Sequence, residues 1–288
     1  MDILPQLVVN SVIAGAIYAM IALGFNLIFG TVKFFDLGYG ALMTVGGYGA
    51  FYFSHTLGFN IWLAVVIGVG IAGFCGFLIN KFVYMRLAKK KASSMVLLVA
   101  SLGVLTALQA LIAMLFTSQF QTLSSALGPS KVYEIFGGVI TQIQLLILVL
   151  GIVIMVALAL MLKFTRFGKA VRAIGDDREV SEIVGINTSK VIGKVFFIGS
   201  AIAGLAGILF GLDTGIEPTM GLSLLLKGVI AAIIGGIGNV YGGVIGAFVL
   251  GFVENFGIWK ISGEWKDAIA FGVLILFLLF RPNGILRK

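Results

Sequence analysis

Hydrophobic positions fall into nine long runs separated by short polar breaks: Leu7–Phe29, Leu37–Phe53, Ile61–Tyr84, Met95–Phe116, Ile140–Leu162, Lys194–Leu212, Leu222–Ile237, Tyr241–Phe256 and Lys266–Phe280. A helix needs about 20 apolar residues to cross a hydrocarbon core of roughly 30 Å. The second, seventh and eighth runs are short and rich in glycine. Non-helical backbone is tolerated at that depth only where protein buries it or it borders a cavity. The pattern predicts an all-α polytopic membrane protein with eight or nine transmembrane segments, some short, broken or re-entrant. No composition shift divides residues 1–288, which read as one domain.

Small residues recur every four positions: Ser11, Gly15 and Ala19; Gly207 and Gly211; Gly243, Ala247 and Gly251. Each row bares backbone on one helix face, which lets helices approach closely. Tyr39-Gly40-Ala41 before Gly46-Gly47 echoes Tyr241-Gly242-Gly243 before Gly246-Ala247, a possible internal repeat of the kind common in transporters.

Composition agrees with lipid as the main solvent. Hydrophobic residues make up 60% and charged residues 11% of the chain, with a mean hydropathy of +1.13, whereas a soluble domain carries about 25% charged residues. The net charge of +8 does not point to nucleic acid, because the basic residues sit in short breaks between apolar runs. With nine crossings, Lys33, the cluster Lys81–Lys91, the cluster Lys163–Lys194 and the tail Arg281, Arg287 and Lys288 share one side. The positive-inside rule makes that side cytoplasmic, with the C-terminus there and the N-terminus outside, and places the break around Pro129 outside. Met1 to Gln6 lacks a positive n-region, so the first run is expected to stay as an anchor.

Reactive chemistry is scarce. Cys75 and His55 are the sole cysteine and histidine, so a metal cluster or a histidine relay is not expected. No Walker A pattern occurs. Gly68-x-Gly70-x-x-Gly73 matches a dinucleotide fingerprint in letters but lies inside an apolar run with no strand before it. No cofactor and no catalytic residue are expected. Charges inside crossings are costly and call for a role. Asp36, Lys227 and Glu254 are the candidates, and helix-end positions in the interface would account for them. A scarcity of midplane carboxylates points to an energy source outside this chain. Asn26, Tyr39 and Asn255, polar groups among glycine-rich segments, are the candidate lining of a path; bonding between neighbouring helices is the competing role.

The break from Lys163 to Lys194 is long enough to hold structure of its own. Asp176 is a candidate N-cap with Glu179 three positions on, and Asp177 adds to an acidic first turn that suits the helix dipole. Val180, Ile183 and Val184 share one face, and Gly185 is placed to end the helix. Acidic residues disfavour docking on an anionic leaflet. The expectation is a cytoplasmic coupling helix whose apolar face enters a partner protein.

These stretches resemble a known family, the branched-chain amino-acid ABC permeases of the LivH type, over nearly the whole chain. Gly15 to Gly30 is similar to the family's opening helix, and Thr165 to Asn187 to its cytoplasmic loop. Gly235-Gly236-Ile237-Gly238-Asn239 resembles its late glycine turn, and Arg281-Pro282-Asn283-Gly284 its terminal Arg-Pro-x-Gly. Members carry Asn-Phe-Ala-His-Gly after the first helix, where this chain reads Asp36-Leu37-Gly38-Tyr39-Gly40. The resemblance implies a permease subunit of an ATP-driven importer in the cell membrane. It further implies a second permease subunit as heterodimer partner, two cytoplasmic ATPase subunits and an external solute-binding protein that delivers branched-chain amino acids. Urea or short amides are the alternative cargo, and a self-sufficient secondary transporter is the alternative class.

Overall fold

The first apolar run folds as one 30-residue helix, α1 (Ile3–Val32). It is apolar on every side, and a helix of that kind has to be surrounded. Its neighbours bury 83% of its most hydrophobic stretch. The computed structural model describes residues 3–124, 131–135, 137–259 and 262–286. The expectations for Pro129, Arg287 and Lys288 lie outside the described residues.

After α1 the chain turns at Lys33, which has a positive φ of 57°, into α2 (Gly38–Phe51), extended by a π-helical turn to Thr56. Asn60 caps α3 (Ile61–Ile79) through the Trp62 N–H at 3.0 Å. A second π-turn carries that helix on into α4 (Met85–Lys89), beyond the expected end at Tyr84. Ser93 caps α5 (Ser94–Phe116). A two-stranded hairpin, β1 (Val132–Ile135) and β2 (Gly138–Thr141), follows in antiparallel register, Val132 opposite Thr141. The hairpin takes the first two residues of the expected fifth run, so that segment is shifted and spans Gln142–Phe164. Thr141 and Gln144 form a reciprocal capping box there, which starts α6 (Gln142–Phe164). Gln6 of α1 exchanges two hydrogen bonds with the Val139 backbone and fixes the hairpin over the start of α1.

Two short helices, α7 (Arg166–Asp176) and α8 (Arg178–Ile183), lead into α9 (Thr188–Thr214). The chain closes with α10 (Met220–Gly235), α11 (Val240–Gly257) and α12 (Lys266–Phe280). The architecture is that of an all-α polytopic membrane protein. Six helices are long and apolar enough to cross a membrane by length and composition: α1, α3 with its continuation, α5, α6, α9 and α11.

α1 and α9 form the centre, while α5 and α6 each bury only 22% of their apolar stretch and present the remainder outward. The glycine rows bring the central helices together. α11 lies antiparallel on α1, with Gly251 against Ser11 and Gly15, and Gly243 against Asn26. A Cβ on Gly251 would stand 2.6 Å from the Ser11 carbonyl oxygen, and one on Gly207 of α9 would collide with the Met43 backbone of α2. Larger residues would force these pairs apart and forfeit the dispersion contacts that hold helices together in lipid. The two tyrosines of the apparent repeat sit in unlike places: Tyr39 is buried and Tyr241 exposed.

Candidate functional site

The segment between α6 and α9 is built by its own polar side chains. Thr165 caps α7 by accepting the Gly168 N–H at 2.9 Å. Val171, Ile174 and Gly175 turn inward, with Gly175 packed against the Gly30 carbonyl at the end of α1. Asp176 is the last residue of α7, and Asp177, not Asp176, is the N-cap of α8. Its Oδ1 accepts the Val180 N–H at 3.0 Å. The expected cap is therefore displaced by one residue, and Glu179 lies exposed in the first turn instead of closing a box with Asp176. Gly185 has a φ of +86° and turns the chain after Val184.

Glu182 fastens this turn to the next helix. Its Oε1 accepts Thr188 Oγ1–H at 2.6 Å and Arg178 Nε–H at 3.3 Å. These bonds, that from Thr188 first, hold the carboxyl below its ordinary range. Val180, Ile183 and Val184 are left outside, with Ile183 82% exposed. These three side chains form an exposed apolar tip on a short helix pinned at both ends.

The four stretches that carry the family resemblance converge at this same end of the molecule. Asn26 of α1 spends its amide on the turn between α10 and α11: Nδ2–H donates to the Asn239 carbonyl at 3.0 Å, and Oδ1 accepts the Gly238 N–H at 2.9 Å. Asn239 in turn caps α11 through the Tyr241 and Gly242 N–H groups. The chain after α12 folds back on the turn, Ile285 N–H donating to the Ile234 carbonyl at 2.8 Å and Leu286 N–H to Gly235 at 3.1 Å. Gly238 lies beside Gly30, next to α7. Tyr39 is buried against α1, its hydroxyl on the Ile21 carbonyl at 3.1 Å. Asn26 and Tyr39 thus tie helices together. Nearby, in the turn between α1 and α2, Asp36 is buried and accepts the Tyr84 hydroxyl at 2.6 Å. Burial raises its pKa from 3.8 to about 6, against the opposing pull of that hydroxyl and of the Gly38 and Tyr39 N–H groups.

Asn255 lies at the opposite end, its Nδ2–H on the Gly251 carbonyl at 2.8 Å. The structure does not bring it together with Asn26 and Tyr39. It sits beside a cluster that sequence reasoning left apart. Glu254 is fully buried and accepts the Tyr18 hydroxyl on Oε2 at 2.7 Å. Lys227 Nζ stands 3.7 Å from Oε1, and Lys266 Nζ 3.8 Å from Oε2. Lys227 also pairs with Asp267 at 3.0 Å and lies over the Tyr18 ring. Opposite charges in consecutive apolar runs, Lys227 and Glu254, were the signal available in the sequence for this pairing. A second missed residue is Asp213, an acid at the C-terminal end of α9, where the helix dipole disfavours it.

Comparison with known proteins gives a consistent result. Residues 7–278 match the family model described as the branched-chain amino acid transport system permease component. The chain is 32% identical to the high-affinity branched-chain amino acid transport system permease protein BraD of Pseudomonas aeruginosa, over 98% of this chain and 95% of that relative. It is equally similar, 32% over the same shares, to the permease protein LivH of the corresponding Escherichia coli system. Among solved structures, PsaBC from Streptococcus pneumoniae in complex with a Fab shares the fold, with a TM-score of 0.54 at 11% identity, over 98% of this chain and 93% of that one.

Proposed function

Because the chain belongs to the family of branched-chain amino acid transport system permease components, we propose that it is the membrane-spanning subunit of an ATP-driven importer of branched-chain amino acids. It supplies the passage and no hydrolysis, since it has no Walker A sequence. Its partners are a second permease subunit, two cytoplasmic ATPase subunits and an external solute-binding protein. The chain makes nine passes: the six long helices and the shorter α2, α10 and α12. The α7–α8 end, with its basic residues, faces the cytoplasm, so the N-terminus is outside. Asn255 borders the path at the outer end, and Asn26 and Tyr39 hold the helices that form its walls.

The observation that carries this reading is the exposed apolar tip of Val180, Ile183 and Val184, held by Asp177, Glu182 and Gly185 at the end away from the hairpin. A permease without an ATPase site must receive force through a protein contact. α7 rests on the end of α1 through Gly175 and Gly30, so displacement of α8 reaches the central helix directly. Burying one such side chain is worth about 1.5–3 kcal/mol. Ile183→Asp is expected to release the ATPase or to leave ATP hydrolysis without uptake, while the permease still inserts; Lys190→Ala is the surface control. ATPase co-purification together with leucine uptake reads this out, and full association with full uptake in Ile183→Asp would place the force elsewhere.

A further inference from the structure

A cavity of about 220 Å³ opens at the end of the molecule opposite α7–α8, between the first turns of α1 and the end of α9. Its wall is mixed: Ile13, Ile17 and Phe210 give it an apolar side, and Asn10, Gln144 and Asn255 a polar one. Two charges of opposite sign also reach it, Asp213 and Lys266. Lys266 comes from the start of α12 and already stands 3.8 Å from Glu254. Glu254, however, also has Lys227 at 3.7 Å, so Lys266 is not its sole counter-charge. Asp213 forms no ion pair among the described residues; only the Gln144 side-chain amide bonds it. A half-buried carboxylate without a cation is costly, and the partner that suits Asp213 is a cation that enters from the cavity.

We propose that this cavity receives an α-amino acid as its zwitterion, the ligand's ammonium on Asp213, its carboxylate toward Lys266, and its aliphatic side chain against Ile13, Ile17 and Phe210. The inference rests on the importer reading above and specifies where that importer first holds its cargo. The chemistry selects the class. A zwitterion supplies the cation that Asp213 lacks and an anion for Lys266 without changing the net charge of the site. A neutral amide such as urea would leave Asp213 unpaired. An aliphatic acid would bring its charge to Lys266 alone, and an aliphatic amine to Asp213 alone. Charge-assisted hydrogen bonds of this kind are the strong ones, and losing one leaves a buried charge on the protein as well as on the ligand.

The test uses the complete complex with its ATPase and binding protein, and a diazirine analogue of leucine as the photoreactive probe. Irradiation is expected to label the α1 segment around Ile13 to Tyr18 or the end of α9. Excess leucine should quench that label, whereas 4-methylpentanoate, which lacks the ammonium, and 3-methylbutylamine, which lacks the carboxylate, should not. Asp213→Asn and Lys266→Met should each lower labelling at least about tenfold, the equivalent of one charge-assisted bond, with the complex still assembled. If a variant fails to assemble, the quenching pattern on the unsubstituted complex decides the matter alone. Labelling confined to other segments, quenching by either truncated analogue as strong as by leucine, or unchanged labelling in both variants would overturn the proposal. Leucine uptake by the same complex tests the importer reading separately. Uptake without labelling here sinks the cavity alone, and no ATP-dependent uptake sinks both.

Discussion

Two carboxylates are buried at opposite ends of this molecule, and each accepts a tyrosine hydroxyl: Asp36 from Tyr84 at 2.6 Å, and Glu254 from Tyr18 at 2.7 Å. Their remaining partners differ. Asp36 is held by hydrogen bonds alone, from Tyr84 and from the Gly38 and Tyr39 N–H groups, and forms no ion pair among the described residues. Glu254 stands between two lysines, and one of these continues to Asp267. Without a cation, a buried acid can shed its charge by binding a proton. Glu254 instead has cations beside it, and its loss takes away the counter-charge they share. The α7–α8 end is fastened by glycine contacts and by exposed carboxylates of its own short helices, Asp177 on the Val180 N–H and Glu182 on Thr188 and Arg178, and the opposite end by a buried charge network beside a cavity.

The largest effect is expected at the charged end. Glu254→Gln removes the counter-charge that Lys227 and Lys266 share and leaves Lys227 with Asp267 alone, and breaking a buried pair from one side costs about 3–5 kcal/mol. Thermal unfolding of the purified protein should show a clear loss of stability, with part of it recovered in Glu254→Gln/Lys227→Met, where both partners are neutral. An unchanged melting point in the single variant would mean that the lysines are not held by Glu254.

Asp36 tests the other half of the contrast. Its folded carboxyl keeps its proton to about pH 6 instead of the ordinary 3.8. The folded state therefore binds more protons than the unfolded state in that window, and stability falls as pH rises through it. The full difference corresponds to at most about 3 kcal/mol at neutral pH. Asp36→Asn keeps an acceptor for Tyr84 and should flatten the stability profile between pH 3.8 and 6. A profile that keeps its slope would assign the titration to another group.

The smallest effect is at the cap of α8. Asp177→Ala removes the bond to Val180 and should cost about 0.5–2 kcal/mol of local stability, read as faster hydrogen exchange in Arg178–Ile183 and weaker ATPase association. Asp176→Ala, at the end of α7, should leave the exchange of α8 unchanged. Equal effects in the two variants would erase the distinction between the adjacent aspartates.

That distinction shows where the sequence was legible and where it was not. Long apolar runs located α1, α5, α6 and α11 to within about four residues, because lipid imposes both their composition and their length. Glycine rows announced close helix pairs, and the pairing of α1 with α11 runs along two of them. The hairpin was not foreseen: strands of four residues are too short to show alternation, and Ile140 read as the start of a crossing. Two consecutive aspartates offer the same cap chemistry, and packing of Gly175 on Gly30 decides which of them ends α7. Asn26 announced a hydrogen bond but not its partner, which lies 213 residues away. Asp213 and Lys266 stand in different runs, and only the fold shows that they share a cavity.

The central claim is that this chain moves branched-chain amino acids with energy supplied by partners. Leucine uptake into proteoliposomes tests it most directly, with the permease pair reconstituted with and without its ATPase subunits and binding protein. The account predicts accumulation only when ATP, ATPase and binding protein are all present, and little entry without them. Accumulation of leucine by this chain alone, driven by an ion gradient and indifferent to ATP, would contradict it.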